Sequence, residues 1–156
     1  MARKIELIEA KQKAGRFCAF QERSPKEVLD KLKSWGLPHE YTDQALNELI
    51  NEGFVDPQRF ANAYCYDKFE FNSWGKQKIR ANIFLHQLDS DIIESALKRI
   101  DETRYFARVV DLASKKWSML EGQDDAKKKQ KTLAYLGNKG FESDLIWKAI
   151  NQLATK

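Results

Sequence analysis

LKSWGLPHEYTDQALNEL, residues 32–49, is the stretch that decides the fold. Its apolar positions Leu32, Leu37, Tyr41, Ala45, Leu46 and Leu49 recur 51 residues later as Ile83, Leu88, Ile92, Ala96, Leu97 and Ile100. They recur again, 53 residues further on, as Leu136, Phe141, Leu145, Ala149, Ile150 and Leu153. Each copy has alanine at the same place, where two helices are expected to approach closely. Helices of similar length can align by accident, but here the loops and the alanine match as well as the period. A repeat of this length marks an array in which each unit buries its apolar stripe partly against the next. Gly36 and Gly140 correspond as left-handed helix stops, whereas the middle copy has Gln87. In that conformation Gln87 is expected to cost on the order of 1 kcal/mol.

Working outward, the flanking segments read as amphipathic helices with short loops. From Ile5 to Glu22, Leu7, Ala10, Ala14, Phe17 and Cys18 form one stripe. Ser24-Pro25-Lys26-Glu27 combines a capping box with proline in the first turn. Val28, Leu32 and Trp35 follow until Gly36, and Tyr41, Ala45, Leu46, Leu49 and Ile50 face inward until Gly53. Asp56-Pro57 starts a helix carrying Phe60, Ala61, Tyr64 and Cys65. Beyond Trp74-Gly75, Ile79 and Ile83 lead to Asp89, which opens a helix bearing Ile92 and Ile100. Phe106, Val110, Ala113, Trp117 and Leu120 predict the buried face of the next helix, and a lysine-rich helix runs to about Asn138 before the last one.

These elements predict an all-α protein of tandem three-helix repeats in an elongated, curved array. The expected divisions are an N-terminal helix at 1–23, repeat 1 at 24–73, repeat 2 at 74–122 and a truncated repeat 3 at 123–156. The start, Met1-Ala2-Arg3-Lys4-Ile5-Glu6, lacks the apolar run of a signal peptide, and no segment approaches the roughly 20 apolar residues of a membrane span. A cytoplasmic location is the expectation. Cys18 and Cys65 fit no metal-ligand spacing and read as small buried hydrophobes.

Net charge is +4, unevenly placed: residues 1–73 carry 11 basic against 12 acidic side chains, and residues 74–156 carry 16 against 11. The C-terminal excess suits a surface facing DNA or an acidic partner, or a solvated helix face. Its candidate contact residues are Lys76, Lys78 and Arg80 at the opening of one helix, Lys127, Lys128, Lys129 and Lys131 at the corresponding opening one repeat later, and Lys115 and Lys116 between them. Lysines near a helix start oppose the helix dipole, which weakly favours a role other than helix stability. Phe69, Phe71 and Trp74 are read as buried packing ahead of a partner patch.

Enzymatic chemistry finds no foothold. His39 and His86 lie in no catalytic spacing, and the glycines are scattered as helix stops. Asp89 with Asp91, and Asp124 with Asp125, are explained by helix starts. The expectation is a protein that is not an enzyme, with no metal and no cofactor.

The segment from Ala14-Gly15-Arg16-Phe17 to Arg23-Ser24, followed by Glu27-Val28 and Leu32, resembles the opening of the RecX family. Gly53-Phe54-Val55-Asp56 with Arg59-Phe60-Ala61 and Tyr64 resembles its most recognisable segment. Trp74-Gly75-Lys76-Gln77-Lys78-Ile79, then Lys139-Gly140-Phe141 with Ile146, match in order, so that the resemblance covers residues 14–153. Pro57, where the family often has an acidic residue, and Gln87 depart from it. The resemblance implies a monomer that binds RecA, lies in the groove of the RecA filament on DNA, and modulates recombinase and coprotease activity, usually by inhibition, in DNA repair, recombination and the SOS response. It implies no catalytic residues. An autonomous helical DNA-binding module is the other reading the residues allow.

Overall fold

The structure, a computed structural model, describes residues 5–154, so the first four residues read above for a signal peptide lie outside it. It is all-α: α1 (Leu7–Phe20), α2 (Pro25–Ser34), α3 (His39–Asn51), α4 (Pro57–Asn72), α5 (Lys76–Ile83) followed by a 3₁₀ turn at Phe84–His86, α6 (Ser90–Lys98), α7 (Glu102–Met119), α8 (Asp125–Asn138) and α9 (Ser143–Ala154). No strand occurs among the described residues. No helix among them is long and apolar enough to cross a membrane. The chain forms two compact units, Met1–Tyr64 with Ile83–Ile93, and Cys65–Asn82 with Glu94–Lys156.

The first two repeat positions have a job at the helix end. Leu37 N–H donates to the Leu32 carbonyl (3.1 Å) and Gly36 N–H to that of Lys33 (3.0 Å), with Gly36 at φ +87°. Phe141 N–H donates to Leu136 (3.2 Å) and Gly140 N–H to Gly137 (3.0 Å), with Gly140 at φ +95°. This closure satisfies the last carbonyls and brings the residue after the left-handed one against the residue that begins the turn. Leu32, Leu37, Leu136 and Phe141 are all buried. In the middle copy Gln87 adopts φ +58° and donates its N–H to Phe84 (3.0 Å), so the repeat imposes the left-handed conformation on a residue with a Cβ.

In the first unit, α1, α2 and α3 pack around Ala10, Ala14, Val28, Leu32, Ala45 and Leu49. The capping box forms as read: Ser24 Oγ accepts from Glu27 N–H (3.1 Å), and Ser24 N–H donates to Glu27 Oε1 (2.9 Å). The Ser24 hydroxyl also meets His86 Nδ1 at 2.9 Å, and the imidazole packs against the rings of Phe60 and Tyr64. His86 is thereby held between the cap of α2 and two rings of α4.

In the second unit α7 packs against α8 and α9. Tyr105 lies between Phe69 and Phe141, with centroid distances of 5.6 and 5.4 Å. Its hydroxyl donates to Glu142 and accepts from the Lys76 N–H at 2.9 Å. Burial first, and the hydrogen bond to the Glu142 carboxylate second, push the Tyr105 phenol well above its ordinary range. Backbones also meet closely here. Gly75 N–H donates to the Lys139 carbonyl (2.7 Å) and Gln77 N–H to that of Gly140 (3.0 Å). A Cβ on Gly75 would stand 2.2 Å from the Gly140 carbonyl carbon, and one on Gly140 would stand 2.4 Å from Lys78 Cβ.

Several expected core positions are displaced. Tyr41 is 43% exposed, and Ile92 and Leu145 are half-buried; the residue one step on is buried in every copy, as Thr42, Ile93 and Ile146. Thr42 hides its polarity by donating its hydroxyl to the His39 carbonyl (2.9 Å). In α7 the buried face is Tyr105, Val109 and Ala113, while Phe106, Val110 and Trp117 are half-buried. The Tyr105 hydroxyl, though polar, has its partners inside, in Glu142 and the Lys76 N–H. Of the aromatics near α4's end, Phe69 is buried, Trp74 half-buried and Phe71 78% exposed. Cys65 is buried, and burial pushes its thiol up to about 12; Cys18 is only half-buried, its thiol raised chiefly by desolvation.

Candidate functional site

All nine basic candidates fall in the second unit, Cys65–Asn82 with Glu94–Lys156. Their surroundings sort them. Arg80 is charge-matched: Nε and Nη2 both donate to Glu94 (2.9 and 2.8 Å), which holds the Glu94 carboxyl below its ordinary range and the Arg80 guanidinium above its own. Lys115 pairs with Asp111 across one helical turn at 3.1 Å. Lys76 stands over the Tyr105 ring at 4.8 Å while its backbone N–H serves the Tyr105 hydroxyl, so it belongs to the α5 docking corner. Lys127 gives its N–H to the capping Asp124 (2.9 Å), and Lys131 Nζ donates to Gln123 (2.7 Å). Lys129 is half-buried on α8 and makes no ion pair among the described residues.

Lys78, Lys116 and Lys128 share a different environment. Each ammonium lies over an aromatic ring: Lys78 over Trp74 at 4.7 Å, Lys116 over Tyr135 at 5.1 Å and Lys128 over Trp117 at 4.2 Å. The structure adds lysines that sequence reasoning missed, two of which share these rings. Lys68 lies over the Trp74 ring (4.9 Å), and Lys139 over that of Tyr135 (5.7 Å). Lys139, just past the end of α8 and four residues from Tyr135, could have been found by helical spacing. The pairing of Lys116 with Tyr135 and of Lys128 with Trp117 depends on how α7 packs on α8 and has no local signal.

Local structure holds these groups in place. Trp74 N–H donates to the Lys68 carbonyl (3.0 Å), turning both side chains to one corner. Arg108 secures that corner by donating Nη1 to the Phe69 carbonyl (2.8 Å) and the Ser73 hydroxyl (3.0 Å), while Ser73 takes φ +54°. Asp124 caps α8 immediately before its lysines, so the cap offsets the unfavourable meeting of cations and dipole. No group of three or more His, Cys, Asp or Glu among the described residues is arranged to hold a metal ion.

Comparison with known proteins covers most of the chain. The RecX first three-helix domain matches residues 10–49, the second 56–97 and the third 102–150. The "Regulatory protein RecX" of Chlorobium phaeobacteroides (strain BS1) is 31% identical over 140 residues, which are 90% of each chain. That of Clostridioides difficile (strain 630) is 25% identical, covering 94% of this chain and 68% of the relative. The crystal structure of RecX from Lactobacillus salivarius superposes with a TM-score of 0.90 at 25% identity, covering 96% of this chain and 97% of that one. The segments that dock in the second unit, Gly75 to Lys78 on Lys139 to Phe141, are the same ones through which the sequence resembles RecX. With three successive RecX domains and a relative of this identity along nearly its whole length, the chain belongs to the RecX family of regulatory proteins.

Proposed function

We propose that the chain is a cytoplasmic, non-catalytic modulator of the RecA recombinase that binds RecA filaments on DNA and lowers their recombinase and coprotease activity. The observation that carries this reading is the succession of three RecX three-helix domains along the chain. The regulatory name shared by the relatives supports a role exerted on a partner. The charge distribution supports DNA as part of the target, because the basic candidates gather on one unit and phosphate contacts are made by such side chains.

On this reading the repeat units bind protein, and Lys78, Lys116, Lys127, Lys128, Lys129 and Lys131 lie toward the DNA phosphates. The test measures RecA-driven ATP hydrolysis and strand exchange on single-stranded DNA with increasing amounts of the chain. Inhibition at low stoichiometry is expected, weakened when Lys127, Lys128, Lys129 and Lys131 are each replaced by Glu. A parent protein without effect on either activity would overturn the reading. Unchanged inhibition by the charge-reversed variant would remove those four lysines from the contact surface.

A further inference from the structure

We propose that the second unit carries a track for single-stranded DNA in which Trp74, Tyr135 and Trp117 receive bases and the lysines now covering those rings move to the phosphates. The choice of DNA rests on the reading above; the track itself rests on geometry. Trp74 is flanked by Lys68 and Lys78, Tyr135 by Lys116 and Lys139, and Trp117 is covered by Lys128.

The segments that carry the three rings are linked. Lys116 and Trp117 are neighbours on α7, which links the last two rings. The Lys139 carbonyl accepts from Gly75 N–H at 2.7 Å, and Gly75 follows Trp74, which links the first two. The close approach of Gly140 to Lys78 brings the segment that carries Lys78 against the segment that carries Lys139. The three ring–lysine clusters are thereby joined through α7 and through the contact of Gly75 with the residues that follow α8.

The rings are only partly enclosed: Tyr135 is 36% exposed, and Trp74 and Trp117 are half-buried. A lysine over a half-exposed ring is held weakly and exchanges readily with solvent. An unpaired base offers such a ring a larger, flat partner, and the strand's phosphates offer the displaced ammonium a stronger one. Alternation of stacking platforms with cations is how proteins hold single strands without reading sequence. Duplex DNA keeps its base faces covered, so it would use the lysines and leave the rings idle. An acidic peptide would do the same.

The experiment titrates the full chain with labelled oligo-dT and, separately, with a duplex of equal length. Anisotropy and tryptophan fluorescence are recorded at several salt concentrations. Single strands are expected to bind at least about tenfold more tightly than duplex and to quench tryptophan emission. Trp117→Leu with Tyr135→Leu should weaken oligo-dT binding by about tenfold or more and leave duplex binding in place. Replacing Lys116, Lys128 and Lys139 by Gln keeps the rings and changes only exposed or half-buried cations. It should flatten the salt dependence by roughly 0.7 of a log unit for each phosphate that the variant no longer neutralises.

Equal affinity for single strand and duplex would overturn the track. So would unchanged oligo-dT binding by a ring variant whose thermal melting matches the parent. Running the parent and the ring variant against RecA separates the two readings. RecA inhibition without oligo-dT binding removes the track alone. Ring-dependent oligo-dT binding without any effect on RecA removes the modulator reading and keeps the track.

Discussion

Gly75→Ala is the perturbation on which the docking of α5 against the end of α8 turns. The added Cβ would stand 2.2 Å from the Gly140 carbonyl carbon, 2.3 Å from its oxygen and 2.3 Å from the Phe141 nitrogen, all of them backbone. No rotamer relieves that contact, so the two segments must separate by more than an ångström to reach ordinary van der Waals distance. Overpacking of this kind costs about 1–3 kcal/mol. Separation also stretches Gly75 N–H to Lys139 O and Gln77 N–H to Gly140 O, at 2.7 and 3.0 Å. Each hydrogen bond of that type contributes about 0.5–1.5 kcal/mol, so the combined loss is about 2–6 kcal/mol. Urea unfolding followed by circular dichroism reads the loss, and amide exchange at Gly75 and Gln77 reads its location. Gly137→Ala is the control: it lies on α8 three residues before Gly140, with nothing within 4 Å of its added Cβ. There alanine should stabilise the helix by about 0.5–1 kcal/mol. A Gly75→Ala protein as stable as the parent, with the Gly75 and Gln77 amides equally protected, would refute the close-approach argument.

Two further substitutions probe the repeat itself. Gln87 holds φ +58° with an exposed side chain, where Gly36 and Gly140 stand in the other copies; Gln87→Gly should raise stability by about 1 kcal/mol, seen as a rise of about 2–4 °C in the thermal midpoint, whereas Gln87→Ala should change little. Thr132 stands in α8 where the repeat has Val28 and Ile79, fully buried and with no hydrogen-bond partner for its hydroxyl among the described residues. Thr132→Val keeps the shape, removes the orphaned group, and should stabilise by about 1 kcal/mol in urea unfolding; a destabilised variant would show that the hydroxyl has a partner after all.

Much of the fold was legible because it is local. Ser24 to Glu27 forms its capping box within one turn, and Gly36 and Gly140 end their helices through hydrogen bonds that span six residues at most. Even Gln87's strained conformation followed from its place in the repeat. Legibility failed where a side chain has two natures. The expected faces ran through Tyr41 and Phe106, whereas Thr42 and Tyr105 are the buried neighbours, their polar groups satisfied inside. The basic character of the second unit was likewise plain from residue counts. Which lysines are matched by carboxylates and which lie on rings was not, since Arg80 meets Glu94 fourteen residues away and Lys128 meets Trp117 on another helix.

By itself the sequence determined that this chain is a tandem of short amphipathic helices with set ends, because period, cap and left-handed stop act over one or two turns. Only the tertiary structure decided that Gly75 lies on Gly140, that the Tyr105 hydroxyl joins Lys76 to Glu142, and that Trp74, Tyr135 and Trp117 each lie under a lysine ammonium. Tyr105 meets partners 29 and 37 residues away in the chain. No helical period carries information over that distance; it is settled by which faces bury the most apolar surface when the helices pack.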